Sequence, residues 1–169
     1  GFNPPQAQRP LIPPTEDDRA FRHRVIQGEV HDENAGVMGG VAGHAGLFSS
    51  APDLARFAHA ILGCLSRPGA KTIFLPETLR AFARPQAAKS GSPRALGFDL
   101  PSASSQSGRH FSPGSLGHLG FTGTSLWLDP ERELAIVLLT NRTWPDRSSQ
   151  EIKRVRPRVP DAIVEALSW

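Results

Sequence analysis

The sequence predicts a mixed α/β (α+β) fold, in which helices pack against an antiparallel sheet. Three observations predict it: helically spaced apolar residues at 50–63, a hairpin pattern at 124–140, and a second helical pattern at 160–167. The 169 residues lie within the usual size of one domain. We therefore expect residues 1–169 to belong to a single domain, with no separate second domain.

The first 18 residues predict an extended surface strap. They contain five prolines, which disfavour helix interiors and sheet ladders: Pro4, Pro5, Pro10, Pro13 and Pro14. Because a domain rarely opens with such a segment, we expect the chain to be the later part of a longer protein. Five glycines within residues 36–46 then predict a loop.

The clearest predicted helix begins after Ser50, the expected N-cap. Asp53 completes a capping box, and Pro52 falls in the first turn, where its missing N–H costs nothing. Its apolar face repeats at helical spacing and comprises Leu54, Phe57, Ala58, Ile61 and Leu62. Gly63 is the predicted end.

Four further elements follow. A short helix is predicted after Pro76 with Leu79, Phe82 and Ala83 facing inward, and the loop-rich stretch 85–115 contains one possible strand at 95–100. Strands are predicted at 124–128 and 134–140, joined by a turn at "DPER". The unbroken apolar run "LAIVLL" indicates a strand covered on both faces, and hence a central one.

The last predicted helix starts at Pro160 and Asp161. Its expected buried stripe comprises Ile163, Val164 and Leu167.

Composition argues against several classes of function. The net charge of +3 is spread along the chain, whereas a nucleic-acid surface needs clustered basic residues with stacking aromatics. No run of 18 apolar residues occurs, and the lone Cys64 excludes an internal disulfide. No cofactor is implied.

A metal site is also not expected. The six histidines have spacings that match no metal template, although residues 31–33 together with His44 could in principle hold a cation. We favour hydrogen bonds from His31 and Asp32 to the glycine loop instead.

The stretch "GHLGFTG" carries the clearest functional signal. Gly117, Gly120 and Gly123 leave a strand without side chains at three positions, which happens where a ligand or another backbone approaches closely. A bare strand can present N–H groups to a developing oxyanion, with His118 and Thr122 beside it. The alternative is that the glycines accommodate a bulge or a packed helix, and local sequence does not decide between the two.

Two longer stretches resemble one known family. "GHLGFTGTSLWLDPERELAIVLLTNR" and "GGVAGHAGLFSSAPDLARFAHAIL" resemble the serine β-lactamase and penicillin-binding-protein superfamily, in its class C-like esterase and D-Ala carboxypeptidase branch. "GEVHDENA" and "TNRTWP" extend the resemblance over nearly the whole chain. The resemblance implies a five-stranded antiparallel sheet with helices on both faces and a helical subdomain, of which this chain would hold the C-terminal part.

The resemblance also implies site residues. His118-Leu119-Gly120 occupies the Lys-Thr-Gly box, so His118 takes the place of the basic residue and Phe121 would donate its N–H to the oxyanion hole. Leu119 and Thr122 would contact substrate, and Leu119 departs from the usual Thr because it offers no hydroxyl to a substrate carboxylate.

A second loop is assigned to the same cleft by the resemblance. Gly43 and His44 would contact the substrate from this facing loop, although His44 could equally be a structural hydrogen-bonding residue.

The catalytic nucleophile of that superfamily is missing. Its Ser-x-x-Lys motif does not occur here, and the chain contains no Tyr for the second box. We therefore expect a C-terminal portion of a serine hydrolase, inactive alone, which needs the N-terminal half of the enzyme as partner and acts on an ester, a D-amino-acid peptide, a peptidoglycan-like substrate or a β-lactam-type amide. Members of the family are often exported to the periplasm or cell envelope, but nothing in this chain shows export.

Three alternatives stay open. The chain could be a natural half-enzyme that docks onto a nucleophile-bearing chain, or a binding or regulatory domain that has lost catalysis. A third alternative is ester hydrolysis by this chain alone through Ser115, Ser125 or His118, but no acid is placed in sequence to orient that histidine.

Overall fold

The computed structural model describes residues 1–67, 69, 73–86 and 93–167. The chain divides into two units. The first unit comprises Gly1–Ser50, Phe121–Gly123 and Thr140–Gln150. The second unit comprises Ala51–Gly120, Thr124–Leu139 and Glu151–Trp169.

The first unit is built from short elements. They are a 3-10 helix at Gln6–Leu11, strands β1 (Glu16–Asp18) and β2 (Arg24–Ile26), and helix α1 (Glu33–Val37). The two strands pair antiparallel with Glu16 opposite Ile26. Buried Asp18 closes their connection by accepting the backbone N–H groups of residues 20–22. The predicted strap is thus replaced by a 3-10 turn and one strand of a ribbon.

The second unit contains a five-stranded antiparallel sheet in the order β3-β4-β5-β6-β7. The strands are β3 (Arg94–Ala95), β4 (Phe98–Asp99), β5 (Leu116–Leu119), β6 (Ser125–Asp129) and β7 (Leu134–Leu138). The helices are α2 (Ala51–Ser66), α3 (Pro76–Ala83) and α4 (Ile152–Ala166). The predicted antiparallel sheet flanked by helices is confirmed.

Alternation along β6 divides the core of this unit between the two faces of the sheet. Leu128 belongs to a cluster with residues of α2 and α3, including Ile61 and Leu79. Trp127, on the opposite face, packs with Val164 of α4 and with Phe111. Because side chains alternate along a strand, one five-residue segment serves both hydrophobic layers.

The predicted helices α2 and α3 are confirmed, with two corrections. Helix α2 continues three residues beyond Gly63, which was the predicted end. Packing outweighs the low helix propensity of glycine at this position, because the neighbouring residues Ile61, Leu62 and Cys64 are all buried. In α3, Leu79 is buried as predicted, but Phe82 is 45% exposed.

The start of the final helix was predicted wrongly. Helix α4 begins at Ile152, eight residues before Pro160, and contains Pro157 and Pro160 in its interior. A buried stripe at a spacing of four residues explains the longer helix: Ile152, Arg156, Pro160 and Val164. Burial of this stripe offsets the backbone hydrogen bonds that the prolines cannot make. Ile163 and Leu167, predicted to be buried, are 37% and 51% exposed.

Two strand predictions also need correction. Residues 95–100 do not form one strand, because Gly97, with a φ of +78°, turns the chain between β3 and β4. Strand β7 pairs with β6 as predicted, but it is the last strand of the sheet formed by the described residues and is not central. Its apolar run reflects cover on both faces, since Ala135 faces one cluster and Ile136 the other.

Gly117 shows why a glycine lies inside β5. It is directly opposite Trp127 in β6, and the indole ring occupies the space that a Cβ of residue 117 would need. A side chain there would have to displace a core tryptophan that is 1% exposed.

Replacing Gly117 by Ala should therefore destabilise the chain by roughly 1–3 kcal/mol through overpacking. The matched control is Gly63→Ala, since Gly63 lies inside α2 with open space at the Cβ position. That change should instead stabilise by about 0.5–1 kcal/mol, the usual gain of Ala over Gly in a helix. Urea unfolding of both variants checks whether the free energy of unfolding falls in Gly117→Ala and rises in Gly63→Ala. An equal change in the two variants would contradict the role given to Trp127.

Candidate active site

His118 lies near the end of β5, opposite Leu126, with an exposed side chain. Its Nδ1 is 3.0 Å from the carbonyl oxygen of Leu119. Because a carbonyl oxygen only accepts, Nδ1 carries the proton in this hydrogen bond. In the neutral ring the other nitrogen, Nε2, is then left as a proton acceptor.

The next two residues connect this strand to a tight turn. The Leu119 side chain packs against the cluster around Trp127, so it is in part a core residue. The Gly120 N–H donates to the Thr124 carbonyl at 2.7 Å, which closes a five-residue turn. The Thr124 hydroxyl fills the space beside the Gly120 Cα, so no larger residue fits without displacing it.

Phe121, within the first unit, contacts two side chains through its ring. The imidazole of His31 stacks against it at 5.5 Å between centroids, and the Arg142 guanidinium lies 4.1 Å from its centroid. The Phe121 carbonyl accepts a hydrogen bond of 2.6 Å from Arg142 Nε. Among the described residues, the Phe121 N–H donates to no acceptor. An oxygen atom of a substrate could therefore accept it.

Thr122 and Gly123 complete the turn. The Thr122 carbonyl accepts the Arg142 N–H at 2.9 Å, and the Gly123 carbonyl accepts the Thr140 hydroxyl at 2.6 Å. Gly123 has a φ of +117°, which a side chain would strain.

The spaces beside all three glycines of the 117–123 segment are thus occupied by the protein's own atoms. Their spacing reflects packing and turn formation, and it does not leave an open strand surface for a ligand. What the segment offers to a ligand is the N–H of Phe121.

A cluster of charged residues supports His31 within the first unit. His31 Nε2 lies 2.8 Å from a carboxylate oxygen of Glu16, and both residues are buried. Arg147 binds the same carboxylate through two nitrogens, at 2.8 and 2.6 Å, and also binds Glu33 at 2.8 Å. The imidazole that stacks on Phe121 is therefore fixed by the Glu16 carboxylate, which is itself held by a bidentate ion pair with Arg147.

These contacts shift the pKa values of the cluster. Hydrogen bonds from Arg147 hold the pKa of Glu16 below its ordinary value against the opposing effect of burial, and the hydrogen bond to His31 adds to the shift. Hydrogen bonds to Glu16 and then Glu33 raise the pKa of Arg147, again against burial. Glu16 is therefore ionised at neutral pH.

The glycine loop is attached through Asp32. Its carboxylate caps α1 by accepting the Ala35 N–H at 2.8 Å and lies 3.0 Å from Nε2 of His44. The Ala35 N–H and then His44 lower the pKa of Asp32. The predicted hydrogen bond between Asp32 and the loop is confirmed, with the carboxylate as acceptor, whereas His31 binds Glu16 instead. Gly43 is exposed, with open space at its Cβ position.

Three charged residues of the first unit were not predicted as site residues: Glu16, Arg142 and Arg147. Glu16 and Arg147 lie 131 positions apart, so no local pattern connects them. Arg142 falls in "TNRTWP", a stretch that the resemblance includes but to which it assigns no role.

Two features are absent from the described residues. No helix there combines the length and the apolar character needed to cross a membrane. The same residues contain no group of three or more His, Cys, Asp or Glu side chains arranged to hold a metal ion.

Comparison with known proteins identifies the family. The family model described as Beta-lactamase matches residues 1–158. The chain belongs to the beta-lactamase family. It is 40% identical over 126 residues to the N-acetylmuramyl-L-alanine amidase of Bacillus subtilis (strain 168), a match that covers 72% of this chain and 28% of that protein.

Two further similarities were found, one to a curated protein and one to a solved structure. The "Putative D-alanyl-D-alanine carboxypeptidase" of Salmonella gallinarum is 39% identical over 153 residues, covering 84% of this chain and 34% of that protein. A beta-lactamase structure from Mycobacterium bovis (Mb2281c) matches with a TM-score of 0.53 and 24% identity, covering 70% of this chain and 44% of that one. The latter supports the fold. The chain spans about a third of the length of the curated relatives it matches.

The lowered pKa of the Glu16 carboxylate predicts that its contribution to the free energy of unfolding is lost in acid. Because its pKa is lowered in the folded state, its contribution is present above the ordinary value of 4.5 and is lost as pH falls through the lower folded pKa. Glu16→Gln should cost about 1–3 kcal/mol at pH 7, less than a fully buried pair because Arg147 is 37% exposed.

Urea unfolding between pH 7 and pH 2.5 checks this prediction. The difference between wild type and Glu16→Gln should shrink below pH 4.5, while the control Glu131→Gln, at an exposed position, should follow wild type throughout. A difference that persists unchanged at the acid end would contradict the assignment.

Proposed function

We propose that this beta-lactamase-family chain is the C-terminal portion of a serine hydrolase that works through an acyl-enzyme. It supplies the His-x-Gly box and the oxyanion-side strand, while the nucleophilic serine comes from an N-terminal half. The observation that carries the proposal is the Phe121 N–H, which has no acceptor among the described residues although the Phe121 carbonyl accepts a hydrogen bond from Arg142.

The proposed chemistry assigns roles to Phe121 and His118. The partner's serine oxygen attacks the substrate carbonyl carbon, and the C=O electrons move onto the oxygen. The Phe121 N–H donates to that oxyanion, which stabilises charge that exists only near the transition state. His118, whose Nε2 is free to accept a proton, binds polar substrate groups and tunes the surroundings of the nucleophile. The proton of the serine hydroxyl passes to the lysine of the Ser-x-x-Lys motif in the N-terminal half and from there to the leaving amine or alcohol, as the C=O bond re-forms and the C–N or C–O bond of the substrate breaks. Water then attacks the acyl ester and gives up a proton to the same base, and the serine oxygen leaves with that proton as the carboxylic acid is released.

The substrate class is proposed from the relatives. They are named "N-acetylmuramyl-L-alanine amidase" and "Putative D-alanyl-D-alanine carboxypeptidase". We propose a peptidoglycan-like amide, a D-amino-acid peptide or a related ester as substrate. Leu119 lacks a hydroxyl, so recognition of a penicillin-like carboxylate through that position is not expected. Thr122, Gly43 and His44 are proposed as further substrate contacts.

The missing motifs define the partner. None of the serines is followed three residues later by Lys, and no Tyr is present. The proposal therefore requires an N-terminal half that carries Ser-x-x-Lys, and the chain by itself should show no turnover.

The test is co-expression with the segment encoded immediately upstream, followed by assays on a D-Ala-D-Ala peptide and on a nitrophenyl ester. We expect turnover from the pair and none from this chain alone. Within the pair, His118→Ala should lower kcat/KM by about 2–12-fold, the effect of losing one hydrogen bond to a polar substrate group, worth about 0.5–1.5 kcal/mol.

The control for this experiment is His59→Ala, which removes an exposed histidine from α2. It should leave turnover unchanged. Two results together would favour the non-catalytic binding domain instead. The pair would hydrolyse none of these substrates, and this chain alone would unfold cooperatively as a monomer.

A further inference from the structure

The peptide bond between Gly120 and Phe121 is held by a buried arginine. Arg156, on α4 and 6% exposed, donates from Nη2 to the carbonyl oxygens of Gly120 and of Thr124, the latter at 3.0 Å. The Thr124 carbonyl also receives the Gly120 N–H. One guanidinium nitrogen thus joins the two ends of the five-residue turn.

This contact fixes the direction of a neighbouring N–H. The Gly120–Phe121 peptide bond is trans, as the only cis bond among the described residues precedes Pro145. In a planar trans peptide the carbonyl and the following N–H point in opposite directions. A guanidinium that binds the Gly120 carbonyl therefore directs the Phe121 N–H away from itself.

The peptide bond on the other side of Phe121 is held by a second arginine. Arg142 Nε donates to the Phe121 carbonyl at 2.6 Å, while its Nη1 donates to the carbonyls of Arg147 and Ser149 at 3.0 and 3.1 Å. Its plane also lies over the Phe121 ring. Rotation of either peptide plane at Phe121 would break a charge-assisted hydrogen bond.

We infer that Arg156 and Arg142 are positioning residues for the Phe121 N–H, the oxyanion donor of the proposed function. Arg156, within the second unit, fixes the peptide plane that carries this N–H, and Arg142, within the first unit, fixes the next peptide plane. The inference rests on that proposed function for its catalytic consequence, but its conformational content can be measured separately. Neither arginine touches the reacting atoms; each acts through a backbone carbonyl.

The two arginines should differ in their response to lysine. Arg156 uses one nitrogen for both carbonyls, and a lysine ammonium can also donate to two acceptors. Arg142 uses two nitrogens in a fixed fork and stacks on a ring, which lysine cannot reproduce. Arg156→Lys should therefore restore what Arg156→Met loses, whereas Arg142→Lys should behave like Arg142→Met.

The first measurement uses the 15N-labelled chain. Backbone relaxation and residual dipolar couplings report the order and direction of the Phe121 N–H. We expect an order parameter of roughly 0.85 in wild type, in Arg156→Lys and in the exposed control Arg158→Met, falling below about 0.6 in Arg156→Met and both Arg142 variants. Unchanged Phe121 couplings in folded Arg156→Met or Arg142→Met would overturn the inference. If Arg156→Met does not fold, the two Arg142 variants decide whether the inference holds.

The second measurement uses the pair with the upstream segment. Arg156→Met should lower kcat by about 10–100-fold with little change in KM, because an oxyanion donor acts in the transition state. Full kcat in that variant, in a pair that turns over, would overturn the inference and leave the proposed function intact. No turnover from the wild-type pair would instead refute the proposed function, and the couplings would still decide whether the arginines direct the N–H.

Discussion

The register between β5 and β6 is the constraint on which the candidate site depends. Gly117 lies opposite Trp127, and the indole fills the space above the glycine. A shift of one residue would place His118 against that indole and move the core residue Leu116 to the other face. The observed register exposes His118 and brings Gly120 to the position where its N–H reaches Thr124. Packing in the core of the second unit therefore determines where the chain turns.

Within the first unit, charged side chains hold Phe121 in place. Phe121 is an exposed aromatic residue, and such a ring gains little from burial. It is fixed by contacts with His31 and Arg142, and His31 is in turn fixed by Glu16, which Arg147 binds. Buried ion pairs contribute less to net stability than to geometry. This network accordingly explains a fixed backbone more readily than it explains a stable fold.

Much of the fold could be predicted because its signals are local. The amphipathic spacing of α2, the proline start of α3 and the Asp-Pro turn between β6 and β7 are all periodic or short-range patterns. The errors came from residues whose partners are distant. Helix α4 includes Pro157 because its buried stripe packs against the sheet, and no property of "RVRPRVP" alone shows that the sheet is there.

The site was predicted to a smaller extent. The box at residues 118–120 was found through resemblance, and its glycines could not reveal that Trp127 and Thr124 occupy the spaces beside them. Arg156 was missed because a cation in the arginine-rich stretch "RVRPRVP" is usually a surface residue, whereas its partners are carbonyls 32 and 36 positions earlier in the chain. Every residue has a backbone carbonyl, so the sequence does not show which residues accept hydrogen bonds through theirs.

The oxyanion role of Phe121 can be tested by a crystal structure of this chain together with its upstream segment, bound to a boronic acid transition-state analogue. We predict an adduct oxygen within about 2.7–3.1 Å of the Phe121 nitrogen, the distance expected for an oxyanion-hole donor. An adduct whose oxygens are all bound elsewhere, with the Phe121 N–H facing bulk water, would contradict the role assigned to that N–H.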